Sequence, residues 1–193
     1  MKSYFLNFIE KIHILQNIYL KNNFFFKKKT YSMYCEDLIV KKYFEEKFNG
    51  FYVDLGCYHP VQHNNTMLLY QRGWRGINVD INEFSIKLFN FCRPDDLNLN
   101  LAVSDKNGEI DYYYQKKLSL LNTINKSRAD LVFQGSIKRK KITSQTLTKI
   151  LDNSKYKDKQ IDFYYQKKLS LLSTIKKSQC NFAFQGKINK KKI

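Results

Sequence analysis

The sequence predicts an α/β fold built on a parallel, doubly wound sheet, and three observations carry that prediction. Short apolar runs and helix-period segments follow each other in the order β-α-β-α-β, the links between them are short, and Asn49-Gly50, Gly56, Gly73 and Pro94 punctuate the boundaries. Residues 1–29 place Phe5, Phe8, Ile9, Ile12, Leu15, Ile18 and Tyr19 at helical spacing with lysines between them, which reads as a basic amphipathic helix. It is expected to pack on the domain; contact with an anionic membrane surface is the alternative, because one apolar stripe would serve either purpose.

A second helix is predicted over Glu36–Phe48, burying Leu38, Ile39, Tyr43 and Phe44, with Asn49-Gly50 as its C-cap. Phe51–Leu55 is the first strand and runs into Gly56. Thr66–Gln71 reads as a helix capped by Asn64 or Asn65 and ended near Gly73. Gly76–Asp80 is the second strand, Glu83–Phe91 a helix stopped before Pro94, and Leu97–Val103 the third strand. Asp105-Lys106-Asn107-Gly108 has the chemistry of a hairpin turn, returning the chain along Glu109–Tyr114. Residues 115–137 read as a surface excursion, Lys141–Thr146 as a strand, Gln145–Leu151 as a helical turn, and Gln160–Phe163 as the start of a fourth strand.

At that point the sequence repeats itself. Asp111–Ile142 recurs as Asp162–Ile193 with about two-thirds of its residues identical. Two copies are too few for a solenoid, which needs at least about three. The chain therefore divides into residues 1–31 (basic helix and linker), 32–162 (a partial α/β domain) and 163–193 (a duplicated lysine-rich tail).

Composition excludes several classes. A hydrophobic content of 43% and an aromatic content of 16% argue against global disorder. The net charge of +17 is spread along the chain apart from Lys27–Lys29, Lys138–Lys141 and Lys190–Lys192, so a nucleic-acid partner is not expected. Cys35, Cys57, Cys92 and Cys180 form no CxxC pair and no spaced Cys/His cluster, which argues against a metal site and a disulfide framework. A cytoplasmic, reducing compartment is expected, and no apolar run is long enough to span a bilayer.

The chemistry-bearing residues gather at strand ends. Gly56 just past the first strand would let a ligand approach the backbone, and Asp54 beside it can accept from a ligand amine or hydroxyl. Asp80 ends the second strand, where nucleotide-binding α/β folds keep a carboxylate for ribose hydroxyls. The GxGxxG fingerprint is absent, which disfavours a dinucleotide and suits S-adenosylmethionine. His59 and His63 are weak candidates for a general base, with loop-shaping roles as the alternative. Trp74 reads as a packing anchor.

The run GFYVDLGCYHPVQHNNTMLLYQRGWRGINVDIN, Gly50 to Asn82, resembles the cofactor-binding half of the FkbM family of S-adenosylmethionine-dependent methyltransferases. Cys35–Val40 is similar to that family's entry segment, and Leu101–Gly108 to its third strand and turn. The resemblance implies a Rossmann-like class I methyltransferase fold, normally of seven strands, and O-methylation of a sugar or metabolite hydroxyl. It assigns Asp54 and Gly56 to the methionine end of the cofactor, Asp80 to the ribose, and Ser104 and Asp105 to the neighbourhood of the adenine. Asn65 and Thr66 would start the helix facing the pocket. In the family the fourth strand leads into an acidic Asp-Val-Glu-Gly type motif. Here Ile161-Asp162-Phe163 leads into Tyr164-Tyr165-Gln166-Lys167-Lys168, so the fold is expected to be truncated after the start of that strand. A methyltransferase acting on a hydroxyl-bearing small molecule or saccharide is the expected identity; a catalytically dead remnant or a basic binding protein is the alternative.

Overall fold

The computed structural model describes residues 2–24, 27–166 and 183–185. Helix α1 (Lys2–Leu15) passes directly into a π-helical turn (Gln16–Lys21). Then come α2 (Glu36–Tyr43), β1 (Phe51–Leu55), α3 (Met67–Gln71), β2 (Arg75–Asp80), α4 (Glu83–Cys92), β3 (Leu97–Asn100) and β4 (Ala102–Val103). The remainder comprises β5 (Gly108–Tyr114), α5 (Lys126–Val132), β6 (Lys138–Gln145), α6 (Leu147–Asp152), β7 (Phe163–Gln166) and β8 (Ala183–Gln185).

The main sheet is parallel throughout, in the order β3-β2-β1-β7-β8. The chain winds outward from β1 to β3 and then returns to the other side of β1 as β7. That reversal is the topological switch point at which open α/β sheets bind ligands. β1 is buried along its whole length, as expected for a strand covered on both faces. Phe51, Val53 and Leu55 point to one side and pack with Ile77, Val79, Ile150, Leu151 and Tyr164 beneath α6. Tyr52 points to the other, joining Trp74, Phe163, Leu69 and Phe44 beneath α2 and α3. Full burial of an aliphatic side chain such as Val53 or Ile77 stabilises by about 1.5–3 kcal/mol.

The doubly wound parallel sheet is as the sequence predicts, and so are the two strand–helix units β1–α3 and β2–α4. Asn82 caps α4, its Oδ1 accepting from the amides of Phe84 and Ser85. Gly73, at φ 93°, ends the turn after α3. Trp74 is fully buried, with its indole N–H donating to the Lys47 carbonyl.

Several boundaries differ from expectation, each for a tertiary reason. The second helix stops at Tyr43, so Asn49-Gly50 is not its cap; Gly50 instead makes room for Trp74, whose ring atoms would lie 2.5 Å from an added Cβ. The third strand is not continuous over Leu97–Val103. It breaks at Leu101, and Ala102–Val103 joins a second, three-stranded sheet in the order β4-β6-β5. Asp105–Gly108 therefore does not close a hairpin: β6 lies between β4 and β5, parallel to one and antiparallel to the other. The excursion over 115–137 contains α5, capped by Asn125.

The fourth strand runs further than expected. It is Phe163–Gln166, all four residues buried, and it is made from the first residues of the second copy. Apart from β8, the rest of that tail, including Cys180 and the final lysine run, lies outside the described residues.

Two predictions follow from the packing. A Cβ on Gly76 would overlap the Tyr52 ring and its carbonyl oxygen, so Gly76→Ala should cost about 1–3 kcal/mol or more, read from urea unfolding. Burial, with the Asp96 carboxylate adding to it and Arg93 opposing, raises the Tyr52 phenol well above its ordinary value; burial raises the Cys92 thiol from 9.0 to about 12. Both groups stay protonated in the folded chain while their unfolded counterparts ionise. The contribution of these two groups is constant below about pH 8, and stability should fall as pH rises through 9–12, a slope measurable as the urea midpoint against pH. Stability that is flat to pH 12 would contradict it.

Candidate active site

A cleft opens at the C-terminal ends of β1 and β2, beside the switch point. Leu55 and Gly56 form one lip, Val79 and Asp80 the other, and Leu101 and Val103 supply apolar wall. Asn122 and Thr123, from the segment between β5 and α5, close the far side. An apolar slot with a few convergent polar groups is the common form of a small-molecule site.

The loop after β1 has an unusual backbone. Gly56 has φ 73°, Tyr58 φ 60° and His63 φ 51°. For a bulky residue such as Tyr58 that conformation is costly, and such strain gathers at ligand sites when the surroundings enforce it. Here the enforcement is visible. The Gly56 amide donates to the Val79 carbonyl at 2.8 Å, and the Tyr58 amide donates to Asp80 Oδ2 at 2.8 Å. The Asn82 amide donates to Asp80 Oδ1, also at 2.8 Å. The Asp80 carboxylate is thus oriented by two backbone amides at the lip of the cleft. Burial, and secondarily the Asp80 charge, raise the pKa of the Tyr58 phenol above its ordinary value, so it stays a neutral donor at the cleft mouth.

Of the residues singled out in the sequence, Gly56 and Asp80 meet at this cleft. Asp54 does not line it. Alternation along β1 turns Asp54 to the opposite side, where its Oδ2 accepts from the Thr66 hydroxyl at 3.0 Å and from Asn64 at 3.4 Å. Thr66 and Asn64 belong to a buried polar cluster centred on Arg93, which has no solvent exposure. One terminal nitrogen of Arg93 donates to Thr66 Oγ1 at 2.8 Å and to Tyr52 Oη at 3.3 Å. The other donates to the Pro60 carbonyl at 2.7 Å and to Asn64 Oδ1 at 2.8 Å. The rings of Tyr70 and Phe89 lie 5.2 and 4.9 Å from the guanidinium carbon. Burial opposes the guanidinium charge, but Tyr52, Asp96 and Asp54 outweigh it, and its pKa lies above the ordinary value. Asp96 extends the cluster, accepting from Tyr52, the Gly76 amide and Asn78.

His59 is fully buried and its nitrogens are engaged. Nδ1 accepts from the amides of Val61 and Gln62, each at 3.0 Å, so Nε2 carries the proton, and it lies 2.8 Å from Asn17 Oδ1. Its ring is a turn cap tied to the N-terminal segment, away from the cleft. His63 is half-buried and stacks against Tyr58 at 6.2 Å between centroids, without lining the cleft. Ser104 and Asp105 lie just beyond the wall at Val103; the serine hydroxyl donates to the aspartate at 3.0 Å, and the Ser104 amide is held by the Gln145 carbonyl.

Tyr58, Arg93 and Asp96 were not singled out by sequence reasoning. Arg93-Pro94 reads as a helix end, and nothing in local sequence signals that the arginine turns inward. Arg93→Met should destabilise by about 3–5 kcal/mol, because Thr66, Asn64, Asp96 and the Pro60 carbonyl lose a common donor or counter-charge in a buried setting. Urea unfolding measures this, and a loss below about 1 kcal/mol would refute the central role of Arg93.

Comparison with known proteins finds no match to a curated protein or to a solved structure. The Methyltransferase FkbM domain, however, matches residues 54–164, from the end of β1 into β7, and so takes in the loop, Asp80, Arg93 and the second sheet. That span exceeds half of the chain and contains both lips of the cleft: the chain belongs to the FkbM methyltransferase domain family.

Proposed function

We propose that the chain binds S-adenosylmethionine in the cleft between β1 and β2 and transfers its methyl group to a hydroxyl of a saccharide or small metabolite. The observation that carries this reading is Asp80. A carboxylate at the tip of β2, already oriented by two amides, stands across an apolar cleft from a left-handed glycine. The donor set suits the cofactor: Asp80 accepts from the ribose hydroxyls, Leu101 and Val103 offer apolar wall to the adenine, and Gly56 admits the methionine end without a side chain in the way. When bound, the cofactor supplies an electrophilic methyl group on a sulfonium.

The chain's own part is positioning. The Asp54–Thr66–Asn64–Arg93 cluster fixes the base of the β1–α3 loop, and Asp80 fixes its tip through Tyr58. None of the described residues lining the cleft is a histidine. In this reading rate enhancement comes from holding the acceptor in line with the methyl group, an effect that can be worth several kcal/mol.

A second reading is a cofactor-binding remnant without turnover. It is supported by the sequence that follows β7: Gln166, paired with Leu55 of β1, is followed by Lys167-Lys168 in place of an acidic motif.

Calorimetric titration of S-adenosylmethionine into the purified chain tests the cleft. Saturable binding is expected, weakened about 10–100-fold by Asp80→Ala, the equivalent of losing charge-assisted hydrogen bonds of about 1.5–3 kcal/mol. A folded chain that does not bind the cofactor would sink both the transferase and the remnant reading. Binding without methyl transfer to any of a panel of saccharides and hydroxylated metabolites would select the remnant.

A further inference from the structure

The N-terminal helix carries two apolar faces, and only one of them is used by the fold. Ile14 and Tyr19 pack, with the fully buried Ile18, against Phe84 and Leu88 of α4. On the same side Glu10 pairs with Lys87 at 2.8 Å, with Lys117 3.8 Å away. Phe8, Ile12 and Leu15, at i, i+4 and i+7, lie on the opposite face, since each residue advances about 100° around a helix. They are 61%, 46% and 43% exposed, and Leu20 in the following π-turn is 75% exposed. No helix among the described residues is long and apolar enough to cross a membrane.

The exposed charge of the N-terminal segment itself has one sign. Glu10 is the single carboxylate before Glu36, and it is turned inward to Lys87. Lys11 and Lys21 are exposed on the helix and its π-turn, and Lys27 and Lys29 are exposed just beyond. An apolar stripe flanked by lysines, with the neighbouring acid neutralised from within, is complementary to a surface that is apolar inside and negative outside.

We propose that the outer face of α1, through Phe8, Ile12, Leu15 and Leu20, docks the domain on an anionic lipid bilayer. The helix lies in the headgroup region, the apolar side chains enter the acyl boundary, and the lysines meet lipid phosphates and carboxylates. A second copy of this chain fits the face less well, because it would set these lysines against lysines of the same sign in a chain of net charge +17. Ile18 and the Glu10–Lys87 pair make the helix a rigid part of the domain, so docking would orient the whole sheet against the surface. The proposal does not depend on methyl transfer.

Vesicle flotation of the full chain tests it, with equimolar phosphatidylcholine and phosphatidylserine against phosphatidylcholine alone. The wild type should float with the anionic vesicles, at least about tenfold more than with the neutral ones, and raised salt should weaken it. Phe8→Glu with Ile12→Glu should abolish flotation, and Lys11→Glu with Lys21→Glu should reduce it about tenfold. Neither pair should change the melting temperature, because none of the four side chains is buried. Failure of the wild type to float on anionic vesicles overturns the proposal, as does unchanged flotation of the Phe8→Glu, Ile12→Glu variant. A self-associated wild type that this variant turns monomeric, with no vesicle binding, would assign the face to a second copy instead.

Discussion

A buried guanidinium is the constraint on which the rest of the structure leans. Arg93, at the end of α4, is sealed from solvent yet stays charged, so its environment has to answer all of that charge. The answer comes from three separate pieces of chain: Tyr52 on β1, the Pro60 carbonyl with Asn64 and Thr66 in the β1–α3 loop, and Asp96 before β3. Thr66, Asn64 and Asp96 have further bonds that pass the constraint outward. Thr66 and Asn64 hold Asp54, and Asp96 holds the Gly76 amide and Asn78 of β2. The β1–α3 loop is thereby fixed at its base by a polar cluster and at its tip by Asp80. That double anchorage is what keeps Tyr58 in a left-handed conformation at the mouth of the cleft.

The repeated sequence shows how little a local pattern decides by itself. Asp111-Tyr112-Tyr113-Tyr114-Gln115 and Asp162-Phe163-Tyr164-Tyr165-Gln166 are nearly the same peptide. In the first copy the tyrosines lie in β5, antiparallel to β6, with Arg139 and Lys141 paired to Asp111. In the second they form β7, parallel to β1 and buried along their length. There Asp162 caps the sheet from below, taking the Phe51 amide and an ion pair from Lys47. A run of consecutive aromatic residues satisfies a half-exposed edge or a central strand equally well; the neighbours available at each point in the chain made the choice.

Much of the fold was legible in the sequence. The strand–helix alternation, the Gly56 turn, Trp74 as an anchor and Asp80 at a strand tip all rest on periodicity or on a residue's intrinsic conformation, which neighbours in sequence suffice to set. What misled was equally specific. Asn49-Gly50 looks like a helix cap, yet its glycine answers a distant indole; Asp105–Gly108 looks like a hairpin turn, yet a strand from later in the chain separates its two arms. For His59, a weak candidate base with loop shaping as the alternative, sequence left the choice open; in the fold its Nδ1 accepts two amides of its own loop.

The sequence by itself determined the family, the parallel sheet and the pair of residues, Gly56 and Asp80, that face each other across the cleft, because each is encoded in a short contiguous run. Only the tertiary structure decided that Asp54 serves the Arg93 cluster, that Arg93 points inward, and that α1 has a used and an unused apolar face. Those outcomes depend on which side of a strand or helix meets which distant partner, and burial of charge and apolar surface is settled only when non-neighbouring segments come together.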